Sequence, residues 1–519
     1  VSAYTGTAAL TRLALRRDRL MLPLWALVTG GMVAGGAGPL GALYDTPAER
    51  AALAASMTAN SSMRSLYGPV FGDSTGALVA WRYTTFAAVL AAVMSLIIVV
   101  RHTREEEETG RQEMLSAGRV GRRAPLTAAL LTALVADAAV ALIITAGLAG
   151  EGAGGALALG LAVGGTGMVF AAVAAVVAQL TESARLAKGL TATVLGLAFV
   201  LRAAGDAGDS PALTWASPIG WAQNVRAFAG ERWWVPPLMA AAAVVLGAVA
   251  YGLAGRRDVG MSFLPARPGP AEGRIATAGG LAWRLQRGSL LGWTLGFLVA
   301  GVVFGGMVEG ASDLVGDNEQ ARRIFERMGG QAGLENAFLA TLTGLFGMVA
   351  ALWIVGSVLR LHGEETSQRA EPVLAGPVSR LRWAAGHLAV AFGGAAVLMA
   401  AAAAGLTLAY GRDGGPVLGA ALAQLPAVWV LGGLTVLLYG AWPGAAVAAW
   451  GVAGLCLALG WIGPSLDLPR AVLELSPYAH LPKLPGTEMA WAPVVLLTGL
   501  AAALVAAGLA GFRRRDLRS

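Results

Sequence analysis

The chain has 519 residues, 56% hydrophobic and only 13% charged, with a mean hydropathy of +0.64. That composition excludes an ordinary soluble domain, and its long, continuous apolar runs suit membrane-spanning helices and not the alternating strands of a barrel. The formal charge of +7 comes from arginine, since Lys188 and Lys483 are the only lysines, and clusters flanking the apolar runs mark cytoplasmic segments and not a nucleic-acid surface.

About a dozen runs reach the roughly 20 apolar residues needed to cross the hydrocarbon core. Residues 5–19 form a short basic amphipathic segment expected to lie in the interface. A first span follows at about 20–42, then a long outside loop from Tyr44 to Trp81, and a second span at about 82–100. Spans three to five are expected near 126–149, 156–180 and up to 203, and a partly embedded hairpin carrying SPIGWAQN precedes the sixth at about 237–254. The Pro/Gly-rich stretch 258–276 reads as a cytoplasmic linker between halves 1–257 and 277–519.

The second half replays the first. LAWRLQRGSLLGW at 281–293 matches LALRRDRLMLPLW at 13–25, and spans are expected near 290–309, 336–359, 384–409, 416–439, 445–463 and 490–511. The expected fold is an all-α polytopic membrane protein of about 12 transmembrane helices, built as two parallel six-helix repeats, each with an interfacial elbow helix. Both termini are then cytoplasmic.

The clearest duplication is a charged segment after the second span of each half, HTREEEETGRQEMLSAGRVGRR at 102–123 and HGEETSQRAEPVLAGPVSRLR at 362–382. Ungapped, Glu106, Glu107, Arg111, Glu113, Gly118 and Arg122 fall on Glu364, Glu365, Arg369, Glu371, Gly376 and Arg380. Glu107 precedes Arg111 by four residues, as Glu365 precedes Arg369, the order that favours a pair on one helix face. A solvated loop needs only polarity, so this retention suggests a polar surface helix with a docking partner. The copies differ at Gly110 against Gln368 and at Met114 against Pro372.

Catalytic and metal chemistry find little support. No Gly-rich turn ends in Lys followed by Ser or Thr, as a phosphate-cradling loop requires, because Lys188 precedes Gly189 and Lys483 precedes Leu484. Cys456 is alone, and His102, His362, His387 and His480 lack metal-ligand spacing. No catalytic, cofactor or metal residue is assigned.

The order of these features resembles type-2 ABC exporter permeases. EEEETGRQEMLSAGRVGRRAPLTAALL, RRDVGMSFLPARPGP, EETSQRAEPVLAGPVSRLRWA and LSPYAHLPK are more narrowly similar to the fused permeases of actinobacterial polyketide-antibiotic exporters of the tetronasin type. The resemblance covers the whole chain. It implies a plasma-membrane permease that moves a hydrophobic or amphipathic small molecule outward, driven by two copies of a separate ATPase subunit that bind ATP and Mg. The charged segments would then be coupling helices, with that role falling to Glu107, Glu108, Thr109, Arg111 and Glu113 and to Glu364, Glu365, Thr366, Arg369 and Glu371. The rival readings are a major facilitator antiporter, whose signature Gly118 to Arg123 imitates without its Asp, and a non-transporting membrane assembly or sensor protein.

Among polar residues within spans, Asp137 lies near mid-bilayer and is expected to be protonated, bonded to a neighbouring helix, or facing a water-filled path. Gln179, Arg202, Glu309, His387 and Gln424 lie nearer span ends, where snorkelling accounts for them.

Overall fold

The computed structural model describes the chain apart from residues 1, 60, 117, 259, 264–272, 274–276, 307, 309–329, 413, 462–468 and 517–519. It divides into two units, Val1–Pro268 and Gly269–Ser519. The expected span residue Glu309 and the loop segment NEQARRIFERM lie outside the described residues. No strand occurs among the described residues, and eleven helices are long and apolar enough to cross a membrane.

In the first unit the elbow α1 (Thr7–Arg17) leads into a first span made of α2 (Met21–Ala34) and α3 (Ala37–Leu43). The loop after it is helical, with α4 (Pro47–Ala59) and α5 (Ser61–Tyr67). The second span, α6 (Thr75–Arg101), starts at a Ser74 cap whose hydroxyl accepts from the Ala77 amide. It is followed by the short helices α7 (Arg104–Glu108) and α8 (Arg111–Ser116). Next come α9 (Ala124–Gly147), α10 (Ala153–Leu180) and α11 (Ala184–Ala207). The short helices α12 (Pro211–Trp215) and α13 (Pro218–Asn224) precede the sixth span, α14 (Val235–Ala254). Helices α6, α9 and α10 form the centre, with α2 against α9 and α14 against α10.

In lipid no hydrophobic force drives helix onto helix, so close packing of small residues does the work. An added Cβ at Gly160 or Gly164 of α10 would stand 2.6 Å or 3.0 Å from the backbone oxygens of Ala141 and Asp137 on α9. The bare glycines let these two backbones touch.

The second unit repeats the pairing with α15 (Ala278–Gly305), α16 (Gly330–Thr366), α17 (Glu371–Leu374), α18 (Arg380–Tyr410), α19 (Gly414–Leu422), α20 (Leu425–Ala441), α21 (Ala448–Trp461), α22 (Arg470–Leu473) and α23 (Trp491–Arg514). Helix α15 packs on α18, α16 on α18, α20 and α21, and α23 on α20.

Two expectations need correction here. No separate elbow helix precedes the first span of the second unit, because 281–293 continues unbroken within α15. The physical difference is that Pro23, which can sit only in the first turn of α2, is replaced at the matching position by Leu291, which lets the helix run on. The expected span at 445–463 contains only the 14 residues of α21 within the described structure, too short to count among the eleven.

Candidate functional site: two clamped charged segments

The first charged segment begins where α6 stops, at Thr103, whose φ of −124° and ψ of −86° leave the helical region. Three carboxylates, Glu105, Glu106 and Glu107, occupy the first turn of α7, where the positive end of the helix dipole favours them. The helix ends at Gly110, with φ +72°, whose amide donates to the Glu107 carbonyl at 3.0 Å. This left-handed C-terminal turn reverses the chain into α8.

Each glutamate of α7 is tied to another element of the unit. Glu105 receives Lys188 Nζ at 3.1 Å, and the Glu108 carboxylate accepts from the Ala184 amide at 3.1 Å, so both reach the start of α11. Glu106 binds Arg17 of the elbow and, through Oε2, Arg111 Nε at 3.0 Å. Glu107 accepts both Nη atoms of Arg257, just beyond α14, at 2.7 and 2.9 Å, together with Arg104 Nη1 at 2.8 Å and the Gly260 amide at 3.3 Å. Arg257 also donates from Nε to Gln179 at 2.7 Å, and its carbonyl accepts from Arg122 at 2.5 Å. Bidentate guanidinium–carboxylate geometry makes this a strong, directional joint. It fastens the short helix to the C-terminal end of the sixth span.

The second unit builds the same joint. Arg515, just beyond α23, donates from Nη1 and Nη2 to Glu365 at 2.6 Å each, and Arg380 donates to the Arg515 carbonyl at 2.7 Å. Tyr439 Oη donates to Glu365 Oε2 at 2.7 Å. Burial works against the Arg515 charge, but the hydrogen bonds and charge of Glu365 outweigh it, and the guanidinium is held above its ordinary pKa. Here α16 runs without a break to Thr366. Gln368 takes the place of Gly110 and adopts the same left-handed turn, with φ +57°.

The expected helix-face pairs Glu107–Arg111 and Glu365–Arg369 do not form. The left-handed residue between them breaks the helix, so Arg111 swings to Glu106 and Arg369 Nε lies 4.0 Å from Glu364. The expectation that these glutamates face water fails for Glu107, Glu364 and Glu365, whose side chains retain only 11%, 10% and 4% exposure. Glu108, Thr109, Arg111 and Glu113 are exposed in the first unit, and Thr366, Arg369 and Glu371 in the second. The candidate set thus splits into an inner part that anchors and an outer part that faces solution.

Arg257 and Arg515 escaped the sequence reading. Their signal was present, since Arg-Arg-Asp at 256–258 and at 514–516 ends the sixth span of each half, separated by the same interval as Glu107 and Glu365.

Asp137 lies away from these segments, buried where α6, α9 and α10 meet. Ser95 Oγ donates to its Oδ2 at 2.8 Å, Oδ1 has no partner among the described residues, and the bare Cα of Gly167 makes room for it. At the matching positions the second unit has Trp353 and Ala395, both buried, in place of Ser95 and Asp137. The snorkelling reading of the span-end polar residues is also corrected. Gln179, Arg202, His387 and Gln424 are all buried. Arg202 binds Asp206 and the Leu66 carbonyl, and His387 contacts Gln286 at 3.0 Å.

Residues 275–513 match the family described as the multidrug efflux system permease Rv1217c, C-terminal domain. The chain is also 46% identical to the multidrug efflux system permease protein Rv1217c of Mycobacterium tuberculosis (strain ATCC 25618 / H37Rv), over all of this chain and 96% of that protein. With its apolar helices and its similarity running end to end, this multi-pass membrane protein belongs to the Rv1217c family of multidrug efflux permeases.

Proposed function

We propose that this chain is the permease subunit of an ATP-driven exporter. Two copies of a separately encoded ATPase, holding ATP and Mg, dock on the outer residues of the coupling segments, and the permease carries hydrophobic or amphipathic small molecules such as antibiotics or drugs across the plasma membrane. Both termini lie on the cytoplasmic side with the segments. The observation that carries this reading is the duplicated clamp, Glu107 with Arg257 and Arg122, and Glu365 with Arg515 and Arg380. A loop that merely needs solubility has no use for a rigid joint to the last span of its own unit. A segment that receives force from a partner does. The multidrug efflux role in the relative's name supports the cargo class.

Cross-linking tests the docking. Thr109→Cys and Ser367→Cys, each in a Cys456→Ala background, are co-expressed with the proposed ATPase subunit and treated with a short thiol-to-amine cross-linker. Each position is expected to capture one ATPase, and the double variant two. Failure of both exposed positions to capture ATPase, while the proteins co-purify, would place docking elsewhere.

A further inference from the structure

A cavity of about 370 Å³ opens in the first unit between the elbow and the coupling segment. Its walls are apolar, formed by Leu10, Leu13 and Ala14 of α1, Met114 of α8, and Pro125 and Ala128 of α9. Arg17, Glu106 and Arg111 stand at its polar end with His102. Glu106 is shared by two guanidiniums, so this trio carries one net positive charge. His102 and Arg101 are both directed to the buried Asp18, at 2.6 and 3.1 Å, which closes that charge on itself. Arg111 uses Nε on Glu106, and its side chain remains 44% exposed.

We infer that this cavity binds one anionic phospholipid, its phosphate between Arg17 and Arg111 and an acyl chain along the α1 and α9 wall. Three properties of the site select that occupant. It lies at the end of a span, beside a helix whose arginines Arg12, Arg16 and Arg17 are unopposed by any acid within Thr7–Arg17, as a segment attracted to an anionic leaflet requires. Its wall residue Leu13 is 54% exposed, and Leu20 and Leu24, where the chain passes from the elbow into the first span, are 79% and 63% exposed, side chains suited to lipid tails. Its charge is positive at one end only, matching an amphiphile with one anionic head. The second unit lacks this combination, because Leu285 stands at the position of Arg17 and Arg360 at that of His102. The proposal concerns the elbow and is independent of how transport is powered.

The full-length protein, purified in mild detergent, is offered phosphatidylglycerol and phosphatidylcholine and weighed by native mass spectrometry. Wild type is expected to retain one phosphatidylglycerol in preference to phosphatidylcholine. Arg17→Gln with Arg111→Gln should weaken that retention about thirty-fold, from about 1 kcal/mol for each arginine near an anionic headgroup. Arg284→Gln with Arg287→Gln, the same charge change in the second unit, should leave it intact. Leu13→Trp, which fills the groove and keeps both arginines, should also release the lipid, so the test survives if the arginine pair fails to fold. Equal loss from the two double variants would reduce the effect to general surface charge and overturn the site. Equal retention of both lipids, or full retention in Leu13→Trp, would overturn it as well.

Discussion

Arg515→Gln should destabilise the protein more than Arg257→Gln, although the two arginines hold equivalent positions. In the second unit Glu365 keeps only 4% side-chain exposure, and its partners include Arg515, twice at 2.6 Å, and Tyr439 at 2.7 Å. Removing the guanidinium takes a bidentate counter-charge from a buried carboxylate, a change that costs about 3–5 kcal/mol when one member of a buried pair is lost. Arg515 is itself 14% exposed, so the lower end applies, about 3 kcal/mol. In the first unit Glu107 loses Arg257 but keeps Arg104 at 2.8 Å and the Gly260 amide, so its charge stays paired. Its loss should be nearer one charge-assisted hydrogen bond, about 1.5 kcal/mol. Thermal unfolding in detergent, with the double variant Glu365→Gln/Arg515→Gln completing the cycle, measures both quantities. The double variant should recover part of the loss, since two neutral amides can bond each other. An Arg257→Gln defect equal to or larger than that of Arg515→Gln, or a cycle with no coupling energy, would refute the clamp.

Gln368→Gly should raise stability by about 1 kcal/mol, because a non-glycine residue at φ +57° carries that order of strain; Gly110→Ala should lower it by about as much, both read from unfolding midpoints. Glu113→Lys with Glu371→Lys should abolish drug efflux while leaving the unfolding midpoint within about 0.5 kcal/mol of wild type, since these side chains are exposed and lie outside the clamp. A fall in the midpoint equal to that of Arg515→Gln would show that they are structural instead. Asp137→Asn should leave folded yield and efflux nearly unchanged by preserving the bond to Ser95, whereas Gly167→Ala, whose new Cβ would stand 2.1 Å from Asp137 Oδ1, should cost about 1–3 kcal/mol and be relieved by Asp137→Ala.

Much of the fold was legible because a membrane span declares itself by length and apolarity alone, and because the duplicated segments fix the two halves against each other. The break between α1 and α2 was legible too, and Pro23 against Leu291 explains why its counterpart in α15 is missing. What could not be read was which way each span faces. Helices such as α6 and α10 are apolar around most of their circumference, so no polar stripe separates the bundle interior from the lipid. Gln179, Arg202 and His387 were therefore assigned to the interface from their position along the chain, and tertiary packing buries them. The duplicated charged segments were recognisable from their spacing. Their anchoring arginines required knowing that the end of the sixth span returns beside the end of the second.

Transport in proteoliposomes tests the central proposal most directly. The purified permease is reconstituted with and without the proposed ATPase subunit, and movement of a fluorescent hydrophobic drug is followed under ATP or under an imposed proton gradient. Transport that requires ATPase and ATP together, and is unmoved by the gradient, is the expected result. Drug movement driven by the proton gradient with the permease alone would contradict it.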